Sequence, residues 1–262
     1  MISAVFFDID GTLVPFGSPG IPAEVSDAIA RMRGRGIKVF IATGRHPSWI
    51  DNLGETEFDG YVAVNGGMCL LSDKSTCVFC SPIDSSDIKR LVDYGPASQY
   101  PVSVVPRNGE IFMTATNKTV EGILDLLHIP PVPIKPIRDA MNLEIVQLMM
   151  FSTEKQREES GIMQNALTHC AATAWHPEFC DIIPKCNDKS RGIDRMLEWF
   201  GIPLAASMAF GDGGNDIGML RHVAFGVAMG NASQNVKAAA DYVTTDVTDH
   251  GVLKALVHFG LL

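Results

Sequence analysis

The sequence predicts an α/β protein, a Rossmann-like parallel sheet core with helices on both faces, interrupted by an inserted α+β domain. Three observations support this. Short apolar runs alternate with helical stretches at both ends of the 262-residue chain, as in parallel strands joined by crossover helices. Three of those runs end in polar turns, where open parallel sheets hold their ligands. Between residues 83 and 184 polar and apolar residues mix more and prolines cluster at Pro130-Pro131-Val132-Pro133 and Pro136. That composition suits an antiparallel sheet with helices on one side. The expected division is a core of 1–82 and 185–262 with 83–184 inserted.

The elements follow in order. Ile2–Phe7 reads as the first strand. Pro22 to Arg35 reads as a helix, with proline near its first turn and Gly36 just past its end. Ile37–Ala42 is a second strand, ending in Thr43-Gly44-Arg45 and followed by another helical stretch. Tyr61–Val64 is a third, ending in Asn65-Gly66-Gly67. In the insertion, strands are expected at Val102–Val105, Ile111–Thr114, Leu143–Phe151 and Phe179–Ile183, and helices at Asn117–Leu127 and Glu154–His169. A helix from Lys189 to Phe200 stops at Gly201. Ser207–Phe210 is a strand running into Gly211-Asp212-Gly213-Gly214-Asn215-Asp216. Val223–Ala228 and Tyr242–Thr244 complete the strands, and Ser233 and Asp249 are expected to cap the last helices. Trp49, Trp175 and Trp199 read as core filling, with the inner face of the inserted domain as the alternative for Trp175.

Composition narrows the function. The chain is 46% hydrophobic and 19% charged, with a formal net charge of -9. That disfavours a general nucleic-acid binder, which carries a basic patch, but not a small anionic ligand held in a locally positive pocket. No apolar run is long enough to span a membrane, and none at the N-terminus reads as an export signal, so a cytoplasmic location is expected. The six cysteines are expected as reduced thiols. Cys77-Val78-Phe79-Cys80 has the spacing of a zinc or redox pair, but in a strand its two thiols face opposite ways.

The chemistry lies at the strand ends. In Asp8-Ile9-Asp10-Gly11-Thr12 two carboxylates one residue apart face the same way in an extended chain. Gly11 permits a sharp turn, and Thr12 offers a capping or anion-binding hydroxyl. Asp8, Asp10 and Asp212 offer hard oxygen ligands of the kind Mg²⁺ takes. Thr43 offers a hydroxyl, and Gly44 a backbone N–H that a phosphate can approach closely. No G-x-G-x-x-G follows the first strand, so the dinucleotide-binding fingerprint is missing.

These motifs, with Lys189 at the start of the late helix, resemble in order those of the haloacid dehalogenase-like phosphohydrolases. A large insertion after Arg45, with Asn65-Gly66-Gly67 and Ala228-Met229-Gly230-Asn231-Ala232, looks like the Cof-type subfamily, whose insertion is an α/β cap domain. The resemblance implies a Mg²⁺-dependent phosphatase of small phosphomonoesters such as sugar phosphates. It implies Asp8 as nucleophile, Asp10 as general acid and base, and Mg²⁺ on the Asp8 carboxylate, the Asp10 main-chain carbonyl and Asp212. Thr43, Gly44 and Lys189 would hold the phosphoryl group, Asn215 would position the phosphate or Lys189, and Asp216 would support the metal site from behind. Arg45 either touches substrate or forms a local ion pair; Arg107, His176 and Asp181 are the cap's candidates for reading the substrate. The implied partner is a small phosphorylated metabolite, met by a monomer or weak homo-oligomer. A phosphomutase of the phosphomannomutase type and a non-catalytic phospho-ligand sensor are the alternatives; the Gly-Asp-Gly-x-Asn-Asp form of the last motif argues against the first, and the presence of both Asp8 and Asp10 against the second.

Overall fold

The computed structural model describes residues 1–262 except 19, 51, 96–98 and 127–128, and omits the Trp175 side chain. The chain divides into two compact units, Met1–Phe79 with Asp188–Leu262, and Cys80–Asn187. The first segment contains β1 (Ala4–Phe7), α1 (Ala23–Gly34), β2 (Lys38–Ala42), β3 (Gly60–Ala63), β4 (Met68–Leu71) and β5 (Cys77–Cys80). The second unit contains α2 (Ser85–Asp93), β6 (Val102–Pro106), β7 (Phe112–Met113), α3 (Lys118–Leu126), β8 (Ile145–Met150), α4 (Glu154–Ser160), α5 (Ile162–Asn165), β9 (Cys170–His176) and β10 (Phe179–Pro184). The chain then returns through α6 (Lys189–Phe200), β11 (Ser207–Gly211), α7 (Ile217–His222), β12 (Phe225–Ala228), α8 (Gln234–Lys237), β13 (Tyr242–Val243) and α9 (Gly251–His258).

In the first unit the strands form one sheet in the order β13-β12-β11-β1-β2-β3-β4-β5. β13 through β3 run parallel, and β4 pairs antiparallel with β3. Strand β1 is buried along its whole length, as expected of a central strand covered on both faces. Its rings stack on its neighbours, Phe6 on Phe40 and Phe7 on Phe210, each pair with centroids 4.7 Å apart. Phe7 is opposite Phe210 on one side and Ile41 on the other. That register delivers Asp8, the Thr43 turn and the Gly211 turn to the same edge of the sheet.

Helix α6 is held close to β3. Asp188 caps it by accepting from the Arg191 N–H at 2.8 Å. A methyl group on Gly192 would collide with the Val62 side chain and come 3.0 Å from the Gly66 Cα. Gly192→Ala is therefore expected to cost about 1–3 kcal/mol by overpacking, despite alanine's better helix propensity. Urea unfolding would check this, and an unchanged or raised midpoint would show that α6 has slack against the sheet.

The second unit is built on an antiparallel sheet in the order β7-β6-β8-β10-β9. Its core packs Ile88 and Leu91 of α2 and Ile162 of α5 with Val104, Leu148, Met150 and Ile182 of the sheet.

Several local expectations are corrected. The helix expected over Glu154–His169 is broken at Gly161, left-handed at φ 62, into α4 and the short α5, and Cys170–His176 beyond it is strand β9, which the alanine-rich sequence hides. After Arg45 there is a single 3-10 turn, Pro47–Trp49, capped by His46, and Gly54 turns left-handed at φ 57 soon afterwards. Met68–Leu71 adds a strand, β4, that the sequence reading does not include and that pairs antiparallel with β3. His250, at φ 54, takes the capping position expected of Asp249. Trp49 is buried, but Trp199 is 57% exposed on the outer face of α6 and fills no core. Leu127 of the expected Asn117–Leu127 helix lies outside the described residues. All six cysteines are thiols outside any disulfide, and burial pushes the Cys170 and Cys180 thiols up to about 12. Among the described residues, no helix is long and apolar enough to cross a membrane.

Candidate active site

Asp8 directly follows β1, and its N–H donates to the Phe210 carbonyl at 3.0 Å, continuing the parallel ladder. Its carboxylate meets Lys189, the first residue of α6, with Nζ 2.6 Å from Oδ1. The same Nζ is 2.6 Å from Asp216 Oδ1. Lys189 and Asp216 are fully buried, so this ion pair is shielded from water. The other Asp216 oxygen accepts from the Asp212 and Gly213 N–H groups at 2.9 and 2.8 Å. One carboxylate thus fixes the turn after β11 and the lysine of α6 together.

Asp212 is aimed by its neighbours. Oδ1 accepts from Thr12 Oγ1 at 2.9 Å, and Oδ2 from Asn231 Nδ2 at 3.3 Å, whose amide also donates to the Gly11 carbonyl at 2.8 Å. Gly11 is left-handed at φ +84, and any side chain there would strike the Asp212 carboxylate. The first and last motifs therefore close on each other across 200 residues. Asp8, Asp212 and Asp216 each offer an oxygen within 4.8 Å of the others.

Asp10 is held differently. Arg45 grips it as a fork, Nε to Oδ2 at 2.8 Å and the terminal nitrogen to Oδ1 at 2.7 Å. Of the two roles open to Arg45, the structure shows the ion pair, with Asp10 as partner. Thr43 Oγ1 accepts from the Arg45 N–H at 3.1 Å, which shapes the Thr43-Gly44-Arg45 turn. Thr43 and Gly44 reach the sheet edge through strand register. Asn215 donates through Nδ2 to Asn65 Oδ1 at 2.9 Å.

In the second unit, Arg107 pairs with Glu144 at 3.2 Å on the surface. Asp181 accepts from Gln147 Nε2 at 2.8 Å in a buried setting. His176 Nδ1 accepts from the Glu178 N–H at 3.2 Å, closing a turn.

Charge is unbalanced at the edge of the first unit's sheet. Lys189 and Arg45 face the four carboxylates of Asp8, Asp10, Asp212 and Asp216. Burial opposes the Lys189 charge, but Asp216 and Asp8 outweigh it and hold the ammonium pKa above its ordinary value. Burial raises the Asp8 carboxyl well above the usual range, and the nearby acids add to this against the pull of Lys189. Burial, with Asp216 beside it, pushes Asp212 up to about 7. One ammonium and one guanidinium cannot neutralise four carboxylates, and a cation ligated by oxygens would. The donor set therefore fits a hard divalent ion.

The pH dependence follows. An acid whose folded pKa is raised is protonated in the fold where the unfolded chain has already lost its proton. Without metal, Asp212 thus lowers stability as pH rises from the ordinary carboxylate range through about 7. A divalent ion ligated by Asp212 would have to displace that proton, so its apparent affinity would rise by about tenfold per pH unit below 7 and then level off. The stabilisation by Mg²⁺ in thermal unfolding is expected to grow from pH 5.5 to 8; a flat profile would overturn the assignment of Asp212 as a ligand.

Comparison with known proteins agrees with this geometry. The sequence profile of the haloacid dehalogenase-like hydrolases matches residues 5–256. YkrA of Bacillus subtilis (strain 168), which carries a provisional phosphatase name, is 29% identical over 260 residues, covering 98% of each chain. The solved structure of BT4131, described as a subclass IIB sugar phosphatase, is similar with a TM-score of 0.90 and 39% identity, over 99% of this chain and 100% of that one. That of BT1666 from Bacteroides thetaiotaomicron, studied among phosphatases of the same superfamily, gives 0.89 and 33%, over 100% of this chain and 96% of that one. With the acidic strand ends, the buried lysine and the antiparallel insertion in view, the chain belongs to the haloacid dehalogenase-like hydrolase family, as a phosphatase of its Cof-type branch.

Proposed function

We propose that this protein is a cytoplasmic, Mg²⁺-dependent phosphatase that hydrolyses small phosphomonoesters, sugar phosphates foremost, through an aspartyl-phosphate on Asp8. The observation that carries this reading is the pairing of Asp8, at the end of the central strand, with Lys189 inside a surplus of carboxylates. The likeness to the sugar phosphatase BT4131 supports the substrate class. Six cysteines outside any disulfide are in keeping with the location.

In this mechanism an Asp8 carboxylate oxygen attacks phosphorus, and the bond from phosphorus to the ester oxygen breaks. Asp10 gives its proton to the departing oxygen. Water then attacks the same phosphorus, Asp10 takes the water's proton, and the bond to Asp8 breaks to release inorganic phosphate. Arg45 grips both Asp10 carboxylate oxygens and so fixes the orientation of that side chain. Thr43, Gly44, Lys189 and Asn215 hold the phosphoryl oxygens, and Asp216 keeps Lys189 and the Asp212 turn in place. The Asp8 and Asp212 carboxylates and the Asp10 main-chain carbonyl would hold Mg²⁺. When bound, the ion supplies positive charge that lets the Asp8 anion approach an anionic phosphate.

The test is phosphate release from a panel of sugar, nucleotide and cofactor phosphates with Mg²⁺ or EDTA. Mg²⁺-dependent release of free phosphate supports the reading. An isomerised sugar phosphate in place of free phosphate would instead indicate a mutase, and no reaction by protein that still binds Mg²⁺ would indicate a sensor.

A further inference from the structure

One tripeptide touches three of the segments that carry the candidate phosphate contacts. Val64-Asn65-Gly66 follows β3, and all three residues are left-handed, at φ 54, 50 and 84. Glycine adopts this backbone freely and asparagine tolerates it, but for a β-branched valine it is an outlier. Strain of this kind costs about 1–3 kcal/mol per residue and persists only where surrounding contacts impose it.

The contacts that impose it are all in the site. The Val64 N–H donates to the Arg45 carbonyl at 3.1 Å, and the Asn65 N–H to the Thr43 carbonyl at 3.0 Å. Both anchors lie on the Thr43-Gly44-Arg45 turn. The backbone of Gly66 lies against the Asp188 carbonyl and the Lys189 N–H, so closely that no side chain fits. The Asn65 side chain, 2% exposed, accepts from Asn215. The strained tripeptide is thus the joint between the second turn, the start of α6 and the turn after β11.

Asn215 has two amide hydrogens. Donating one to Asn65 fixes the plane of the amide and so the direction of the other. We infer that Asn65 is a positioning residue: it holds the Asn215 amide so that the remaining N–H meets a phosphoryl oxygen. This rests on the phosphatase reading above, which already gives Asn215 a phosphate contact and says nothing of Asn65.

The experiment is a double-mutant cycle of wild type, Asn65→Gly, Asn215→Ala and the pair. Each protein is assayed for Mg²⁺-dependent hydrolysis of p-nitrophenyl phosphate, for binding of inorganic phosphate by calorimetry, and for thermal unfolding. Glycine keeps the left-handed backbone and removes the side-chain amide, so Asn65→Gly is expected to fold and to melt close to the wild-type temperature. Its KM and its Kd for phosphate are expected to rise about tenfold, equivalent to about 1.4 kcal/mol, with kcat changed less. Asn215→Ala is expected to do the same, and the pair to lose no more than Asn215→Ala alone. Wild-type KM and Kd in Asn65→Gly would overturn the inference, as would losses that multiply to about a hundredfold in the pair. Wild type that binds phosphate but hydrolyses no ester would refute the phosphatase reading while the binding cycle still decides the role of Asn65.

Discussion

Asp8→Asn is expected to abolish turnover, by about 10⁴-fold or more, while leaving the fold intact. The loss is large because an amide oxygen cannot form the covalent intermediate, so no slower route through the same residue remains. The fold survives because asparagine has the same shape and still offers an oxygen to Lys189, 2.6 Å away in the native protein. Burial and the neighbouring acids penalise the Asp8 charge more than Lys189 rewards it. Metal-free Asp8→Asn is therefore expected to melt no lower than wild type at pH 8. Phosphate release and thermal unfolding, measured on one preparation, check both halves. Near-normal turnover by a clean preparation would end the nucleophile assignment, whereas a large fall in melting temperature would show that the Asp8 charge is structural.

The second large effect is expected at Lys189. Its ammonium is buried between Asp8 and Asp216, and Asp216 has no access to water. Lys189→Met fills similar space and leaves those carboxylates without a counter-ion, a change that costs about 3–5 kcal/mol when one partner of a buried pair is removed. Turnover is expected to fall by about 10²–10³-fold on top of this, as when one donor to a transition-state oxyanion is lost. The two effects separate by pH. Removing the lysine takes away the charge that lowers the Asp8 pKa, so the stability deficit is smaller at pH 5, where Asp8 takes up a proton, and larger at pH 8. Urea unfolding at the two pH values checks the sign. An equal deficit at both would mean that Lys189 acts through packing instead of charge.

Much of this was legible in the sequence, for identifiable reasons. The parallel strands announce themselves because both faces are covered, so Ala4–Phe7 and Lys38–Ala42 are nearly all apolar. The polar turns that follow them mark the sheet edge. The edge strand Cys170–His176 was hidden because its alanines favour helix, and only pairing with Phe179–Pro184 makes it a strand. Gly161 breaks a helical stretch that periodicity alone would continue. At the site, local motifs identify residues but not their partners. The Arg45 fork on Asp10, the Asn231 contact with Asp212 and the Asn65–Asn215 tie each join segments far apart in the chain. Asparagine beside glycine, as in Asn65-Gly66 and Gly230-Asn231, was the available signal. It marks a turn without saying what the amide will hold.

The placing of β1 beside β11 has a consequence for how the chain is made. Asp8 and Lys189 are 181 positions apart, and Thr12 and Asp212 are 200 apart. During synthesis β1 acquires β2 soon after it emerges, but its other neighbour leaves the ribosome only when the whole insertion has been translated. At a translation rate of about 5–20 residues per second, one side of Ala4–Phe7 stays unpaired for roughly ten seconds or more. During that interval an apolar strand edge is open to wrong partners. Refolding is accordingly expected to be slow and concentration-sensitive, with the acidic cluster assembling only when the turns after β1 and β11 meet.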